Sequence, residues 1–160
     1  MDSSDAASEQ FVLTEPRTAQ DWESYFNLRW RVLRQPWDQP RGSERDELDA
    51  ESFHLLARDA AGTIVGVGRL HLNSATEAQV RYMAVDETCR DRGIGSRILG
   101  GLEGRALSQG VAGIVLNARE ATLNFYRRHG YVIEGPAETL FGAVRHVRMR
   151  KALLDTLITD

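Results

Sequence analysis

The stretch Arg90-Asp91-Arg92-Gly93-Ile94-Gly95-Ser96 follows a run of strand formers ending Met83-Ala84-Val85 and precedes a segment with helical periodicity. A tight turn at such a junction exposes successive backbone N–H groups. The helix start adds its partial positive charge, so the stretch suits a pyrophosphate. Glycine is needed where a Cβ would collide with the phosphates or where φ is positive. A P-loop requires Gly-Lys-Ser/Thr after four intervening residues, and there is no lysine here. A Rossmann fingerprint requires a third small residue where Ile98 stands, and an early βαβ unit with an acid ending its second strand. The spacing that remains is Arg-x-x-Gly-x-Gly.

Outward from this turn, Ile94, Ile98, Leu99, Leu102, Ala106 and Leu107 mark one face of a helix that stops near Gly110. Gly100, Gly101 and Gly104 each cost that helix roughly 1 kcal/mol against alanine, which points to close packing of helix on sheet. Residues 111–116 form a short continuous apolar run, as in a strand buried on both faces. A helix is predicted over 121–129 with Gly130 as its stop, and two last strands over 131–133 and 144–149.

Upstream, residues 79–85 are rich in β-formers, and 53–58 and 63–72 predict a hairpin around Asp59-Ala60-Ala61-Gly62. Residues 11–13 suggest an edge strand. Thr18 is a candidate N-cap with Asp21 three residues on, and Trp22, Tyr25, Phe26, Leu28, Val32 and Leu33 carry a helical pattern as far as Pro36. Residues 35–51, with six acids and two arginines, read as a long loop or a short second helix. The order is β, α, βββ, α, β, α, ββ in one mixed sheet.

The 160 residues fit one domain, with 42% hydrophobic and 27% charged residues, the balance of a globular protein. The longest apolar stretches, such as 64–67, fall far short of the ~20 residues of a bilayer span, so no membrane role is expected. Residues 1–10 lack the basic start and apolar centre of a signal peptide and read as a tail, as do 152–160, leaving a domain at 11–151. Cys89 is the single cysteine, which excludes an intrachain disulfide and fits a reducing compartment, so the cytoplasm is expected. A net charge of -3 gives no global field for a nucleic-acid backbone.

A second motif lies downstream, in Leu116-Asn117-Ala118-Arg119 followed by Asn124-Phe125-Tyr126-Arg127-Arg128-His129-Gly130-Tyr131. Taken with the turn at 90–96, it resembles the two-part acetyl-CoA signature of the GNAT (Gcn5-related N-acetyltransferase) superfamily, over nearly the whole chain. The resemblance extends, through 29–36, 39–46 and Ala118-Arg119-Glu120, to the N-terminal half of bacterial two-domain proteins whose other half is a hot-dog, thioesterase-like domain. It implies an α/β (α+β) GNAT fold, a mixed, mostly antiparallel sheet of about six or seven strands flanked by about four helices.

The resemblance also implies roles. Met83, Ala84 and Val85 would pair through their backbone with the pantetheine arm of acetyl-CoA or another acyl-CoA. The N–H groups of Arg90, Asp91, Arg92, Gly93, Ile94, Gly95 and Ser96 would hold the pyrophosphate, and Arg92 or Arg97 would meet a phosphate. Asn117 and Arg119 stand where the family parts two strands to admit the thioester, Arg119 replacing an expected Asn or Gln. Tyr126 would protonate the departing thiolate. Where many family members carry a basic glutamate this chain has Gln79, an amide that takes no proton, so His146 and His71 are the candidate bases. Cys89 reads as an unreactive thiol, and no metal is expected. The implied reaction is direct transfer to an amine, with a small-molecule or acyl-carrier acceptor, and a homodimer is an allowed assembly. The competing reading is a non-catalytic module that recognises acyl-CoA or acyl-carrier protein.

Overall fold

The computed structural model describes residues 10–153, so most of the expected tails at 1–10 and 152–160 lies outside the described residues. Seven strands form one sheet in the order β1-β2-β3-β4-β5-β7-β6. They are β1 (Val12–Thr14), β2 (Phe53–Arg58), β3 (Ile64–Leu72), β4 (Glu77–Val85), β5 (Gly113–Arg119), β6 (Val132–Leu140) and β7 (Val144–Ala152). The α-helices among the described residues are α1 (Ala19–Leu33), α2 (Ile94–Ser108) and α3 (Leu123–Arg128). The sheet is mixed and mostly antiparallel, the β4–β5 pair being parallel.

Among the described residues three α-helices stand where about four were expected. Of the two readings of 35–51, a long loop or a short second helix, the loop holds: Pro36, Pro40 and Gly42 break it into turns, including 3-10 turns at Gln35–Trp37 and Asp49–Glu51. The chain divides into two compact units, one of residues up to Leu70 with Tyr82–Leu102, the other of His71–Arg81 with residues from Glu103 onward.

In the first unit, α1 begins at a full capping box: Thr18 accepts from the Asp21 N–H while the Asp21 carboxylate accepts from the Thr18 N–H. Its inward stripe of Tyr25, Leu28 and Val32 packs on Leu56, Ile64, Val67 and Ala84 of β2, β3 and β4. α2 packs on strand positions that have no side chain. A Cβ on Gly66 would lie 2.7 Å from atoms of Ile94 and Ile98, and one on Gly68 would lie 2.7 Å from Ile98 and 2.8 Å from Met83. Of the helix glycines expected to allow close packing, Gly101 does so against Leu55, whereas Gly100 and Gly104 have nothing within 4 Å. Ile94, Ile98, Leu99, Leu102 and Ala106 are buried, but Leu107, one step further round the helix, is 44% exposed.

In the second unit, β5 is the buried strand expected, beginning at Gly113 rather than at 111, with Ile114, Val115 and Leu116 fully enclosed. It pairs with β4 from Glu77↔Gly113 to Gln79↔Val115 and with β7 from Gly113↔Ala152 to Arg119↔His146, which makes Ala152 part of a strand rather than of a tail. α3 starts at Leu123, after a 3-10 turn at Glu120–Thr122, and the chain turns at Gly130 with φ +90°. β6 and β7 run much further than the three and six residues expected. They join through Phe141 and Gly142, both at positive φ, with the Ala143 N–H donating to the Leu140 carbonyl.

Candidate functional site

β4 leaves its regular path inside the first unit. Tyr82 has φ +59°, a conformation that costs a bulky L-residue about 1–3 kcal/mol and persists only where its surroundings hold it. Its ring is buried, with the Arg29 guanidinium 4.1 Å from the ring centre, Arg69 at 4.9 Å and Arg34 at 5.6 Å. Beyond it come Met83, half-buried, Ala84, buried in the α1 core, and Val85, half-buried. The Asp86 N–H donates to the Val65 carbonyl, which anchors the strand end to β3.

The turn that follows is exposed from Arg90 to Gly93, with Asp91 at φ +66° and Gly93 at φ +79°. Gly93 immediately precedes α2 and brings no side chain to cap it. The N–H groups of the first helical turn, at Ile94, Gly95 and Ser96, have no partner inside a helix by construction. A residue without a side chain therefore opens a 15-residue helix whose dipole favours an anion. The side chains of Arg90 and Arg92 make no hydrogen bond or ion pair to another described residue. Arg97 instead donates to the Phe11 carbonyl at 2.8 Å, which ties β1 to α2.

Behind Tyr82 lies a charged interior that sequence reasoning missed. Arg29 and Arg69 are both 0% exposed. Arg29 Nη1 donates to the Glu44 carbonyl and to Asp49 Oδ1, both at 3.0 Å, and Nη2 donates to the Tyr25 hydroxyl at 3.1 Å. Arg69 Nη1 donates to Asp46 Oδ1 at 2.6 Å and to Asp49 Oδ1 at 2.9 Å. Burial pushes the Asp49 carboxyl up, but the Arg29 charge, the Asp46 N–H and hydrogen bonds from both arginines outweigh it and hold the group below the usual carboxylate range. Three acids of 35–51, Glu44, Asp46 and Asp49, thus face inward, leaving Asp38, Glu47 and Glu51 exposed. A signal was present: Arg29 sits on the Tyr25, Leu28, Val32 stripe, and Arg69 interrupts the otherwise apolar run at 64–70.

The second unit holds the remaining candidates. Asn117 is exposed and Arg119 half-buried, both on β5. His146 pairs directly with Arg119 in the β5–β7 ladder, and its Nδ1 donates to the Val144 carbonyl at 2.9 Å, so Nε2 is the ring atom left to accept a proton. Tyr126 is 7% exposed, its ring edge-on to Phe125 and Tyr131 at 5.0 and 5.8 Å. Phe125 is the half-buried member of that adjacent pair and Tyr126 the buried one. Among the described residues, the Tyr126 hydroxyl has no hydrogen-bond partner. Burial pushes it up to about 12, with the Arg119 charge pulling the other way, so it stays protonated at neutral pH.

Gln79 and His71 meet through Asn73. The Asn73 Nδ2 group donates to Glu77 Oε2 at 2.9 Å and to Gln79 Oε1 at 3.0 Å, while Asn73 Oδ1 lies 3.1 Å from His71 Nε2. Since the Glu77 carboxylate only accepts, the amide orientations follow from it. Cys89 is buried beside Thr88. Among the described residues, no three His, Cys, Asp or Glu side chains gather as a metal site, and no helix is long and apolar enough to cross a membrane.

Residues 22–131 match the acetyltransferase (GNAT) family. The uncharacterized N-acetyltransferase YjcF of Bacillus subtilis (strain 168) is 31% identical over 126 residues, covering 79% of this chain and 89% of that protein. An acyl-CoA N-acyltransferase from Pseudomonas aeruginosa superposes with a TM-score of 0.75 at 19% identity, covering 89% of this chain and 98% of that one. An aminoglycoside 6'-N-acetyltransferase complexed with coenzyme A gives a TM-score of 0.74 at 18% identity, covering 88% and 96%. At those identities the two structures share the fold.

Proposed function

Since the chain belongs to the GNAT family of acetyltransferases, we propose that it moves an acetyl group from acetyl-CoA, or a related acyl-CoA, to an amine held beside it, with no acyl-enzyme. The observation that carries this reading is the exposed turn at 90–93, where Gly93 at φ +79° opens the long helix α2 without a capping side chain.

In this reading the N–H groups from Arg90 to Ser96 bind the pyrophosphate, with Arg92 available to a phosphate. The backbone of Met83, Ala84 and Val85 pairs with the pantetheine arm, and Asn117 and Arg119 flank the thioester. Aligning amine and thioester supplies much of the rate, an effect worth ~7 to 11 kcal/mol in well-oriented systems. The amine attacks the thioester carbonyl, the tetrahedral adduct collapses with loss of the C–S bond, and the Tyr126 hydroxyl gives its proton to the sulfur. His146 Nε2 or water takes the amine's proton. The acceptor class is a small-molecule amine; an acyl-carrier acceptor and a homodimer belong to the same proposal.

Calorimetric titration with CoA tests the site. The parent should bind, and Gly95→Glu should abolish binding while leaving the melting curve intact. Unaltered binding by the folded variant would remove the turn from the reading. Thiol release from acetyl-CoA across an amine panel tests the activity. Tight binding without release on any acceptor would favour the non-catalytic acyl-CoA module.

A further inference from the structure

We propose that Arg29 is a positioning residue for the acyl-CoA arm: it holds Tyr82 in its left-handed conformation, and that kink sets the direction in which Met83–Val85 present their backbone. The inference rests on the reading that these three residues receive the arm.

Three observations converge on it. Tyr82 is the residue immediately before the presented segment and the only non-glycine at positive φ within a strand among the described residues. Its ring is trapped by the flat guanidinium of Arg29, 4.1 Å away, while its hydroxyl reaches toward Asp46 at 3.4 Å. Arg29 is itself immobilised by the Glu44 carbonyl, Asp49 and the Tyr25 hydroxyl, so the ring meets a fixed surface and not a swinging side chain.

The arginine is a poor choice for packing alone. It is 0% exposed, and its Nε–H has no hydrogen-bond partner among the described residues, a desolvation cost that apolar packing would not carry. The cation is what a methionine lacks, and its central carbon lies over the ring of the strained tyrosine. Met83 on the next position packs toward α2, where its sulfur would lie 2.8 Å from a Cβ on Gly68. Along the strand the side chains alternate, Tyr82 to the α1 side, Met83 to the α2 side and Ala84 back to the α1 core. Glycine adopts positive φ without being held, so a glycine at 82 should make Arg29 dispensable for the presented segment.

The experiment is a double-mutant cycle on acetyl-CoA affinity, read by calorimetry and by KM, with Arg29→Met, Tyr82→Gly and both together. Arg29→Met should weaken acetyl-CoA binding about tenfold and raise its KM alike, leaving kcat and the acceptor's KM within about twofold. In the Tyr82→Gly background the same change should alter affinity less than about twofold. Equal loss in both backgrounds, or lost stability with unchanged affinity, would show that Arg29 only supports the fold. If Arg29→Met does not fold, Arg29→Lys keeps a charge opposite Asp49 and loses the flat contact, and it should show the same dependence on residue 82. A parent that fails to bind acetyl-CoA would overturn the functional reading itself, whereas a binding parent with a flat cycle would overturn the clamp alone.

Discussion

The Tyr25 hydroxyl lies 2.7 Å from Nδ1 of His54, while Nε2 of the same ring lies 2.8 Å from the Asp49 carbonyl. A carbonyl only accepts, so Nε2 carries the hydrogen and the neutral ring accepts from Tyr25 at Nδ1. Burial holds this imidazole below its ordinary value, and the nearby Arg29 charge pushes the same way.

Between that lowered value and the ordinary 6.5, the unfolded chain binds a proton that the folded chain refuses, so stability falls as pH drops through the window. The melting temperature should therefore be lower near pH 5 than near pH 7, and His54→Gln should shrink the difference. A difference of the same size in the variant would assign the response to other groups.

Asp49 is ion-paired with two buried guanidiniums at once, sharing Arg69 with Asp46. Asp49→Asn should destabilise the protein by about 3–5 kcal/mol, because it leaves uncompensated charge in the interior. The exposed Glu51→Gln, two residues on, should change stability by less than about 0.5 kcal/mol. Urea unfolding of both variants decides it, and a loss at Asp49 no larger than at Glu51 would remove the interior charge balance as a stabilising feature.

Burial pushes the hydroxyls of Tyr25 and Tyr126 up to about 12. Their contribution is fully present below the ordinary tyrosine value of 10.0 and is lost as pH rises through about 12. Phenolate absorbance should therefore lag behind that of free tyrosine and then rise together with unfolding. Titration of all the tyrosines at the ordinary value in the folded protein would contradict the enclosure of these rings.

Tyr126→Phe keeps the buried ring and removes only a hydroxyl with no partner among the described residues. It should lower kcat by about 10²-fold or more, with acetyl-CoA affinity and melting temperature little changed. A fall in stability matching the fall in activity would make Tyr126 a packing residue, and full activity would mean that water protonates the thiolate. The rising limb of the pH profile should persist in His71→Ala. Its loss in His146→Ala would mark the imidazole as the base.

What was legible in the sequence was what neighbours along the chain decide. Thr18 and Asp21 cap their own helix, Gly110 and Gly130 end theirs, and Gly93 declares a turn between strand and helix. What distant neighbours decide stayed hidden. Nothing beside Tyr82 in the chain says that its φ is positive, because the groups that hold it come from residues 29, 46 and 69. Residues 35–51 read as a solvated acidic loop, since the arginines that draw Asp46 and Asp49 inward lie on α1 and β3. Phe141-Gly142 gives no hairpin signal because a phenylalanine rarely opens such a turn, so the pattern shows only short strands on either side of it.

Arg29, Arg69, Asp46 and Asp49 form a set of two positive and two negative charges shut largely away from water. A single replacement that removes the charge at any of the four leaves an odd charge inside, so the set has no easy path of independent drift to neutral side chains. Divergence at these positions must move in compensated pairs or as a block replaced by apolar side chains. Positions 29, 46, 49 and 69 should then be inherited together across relatives, three segments of the chain evolving as one character.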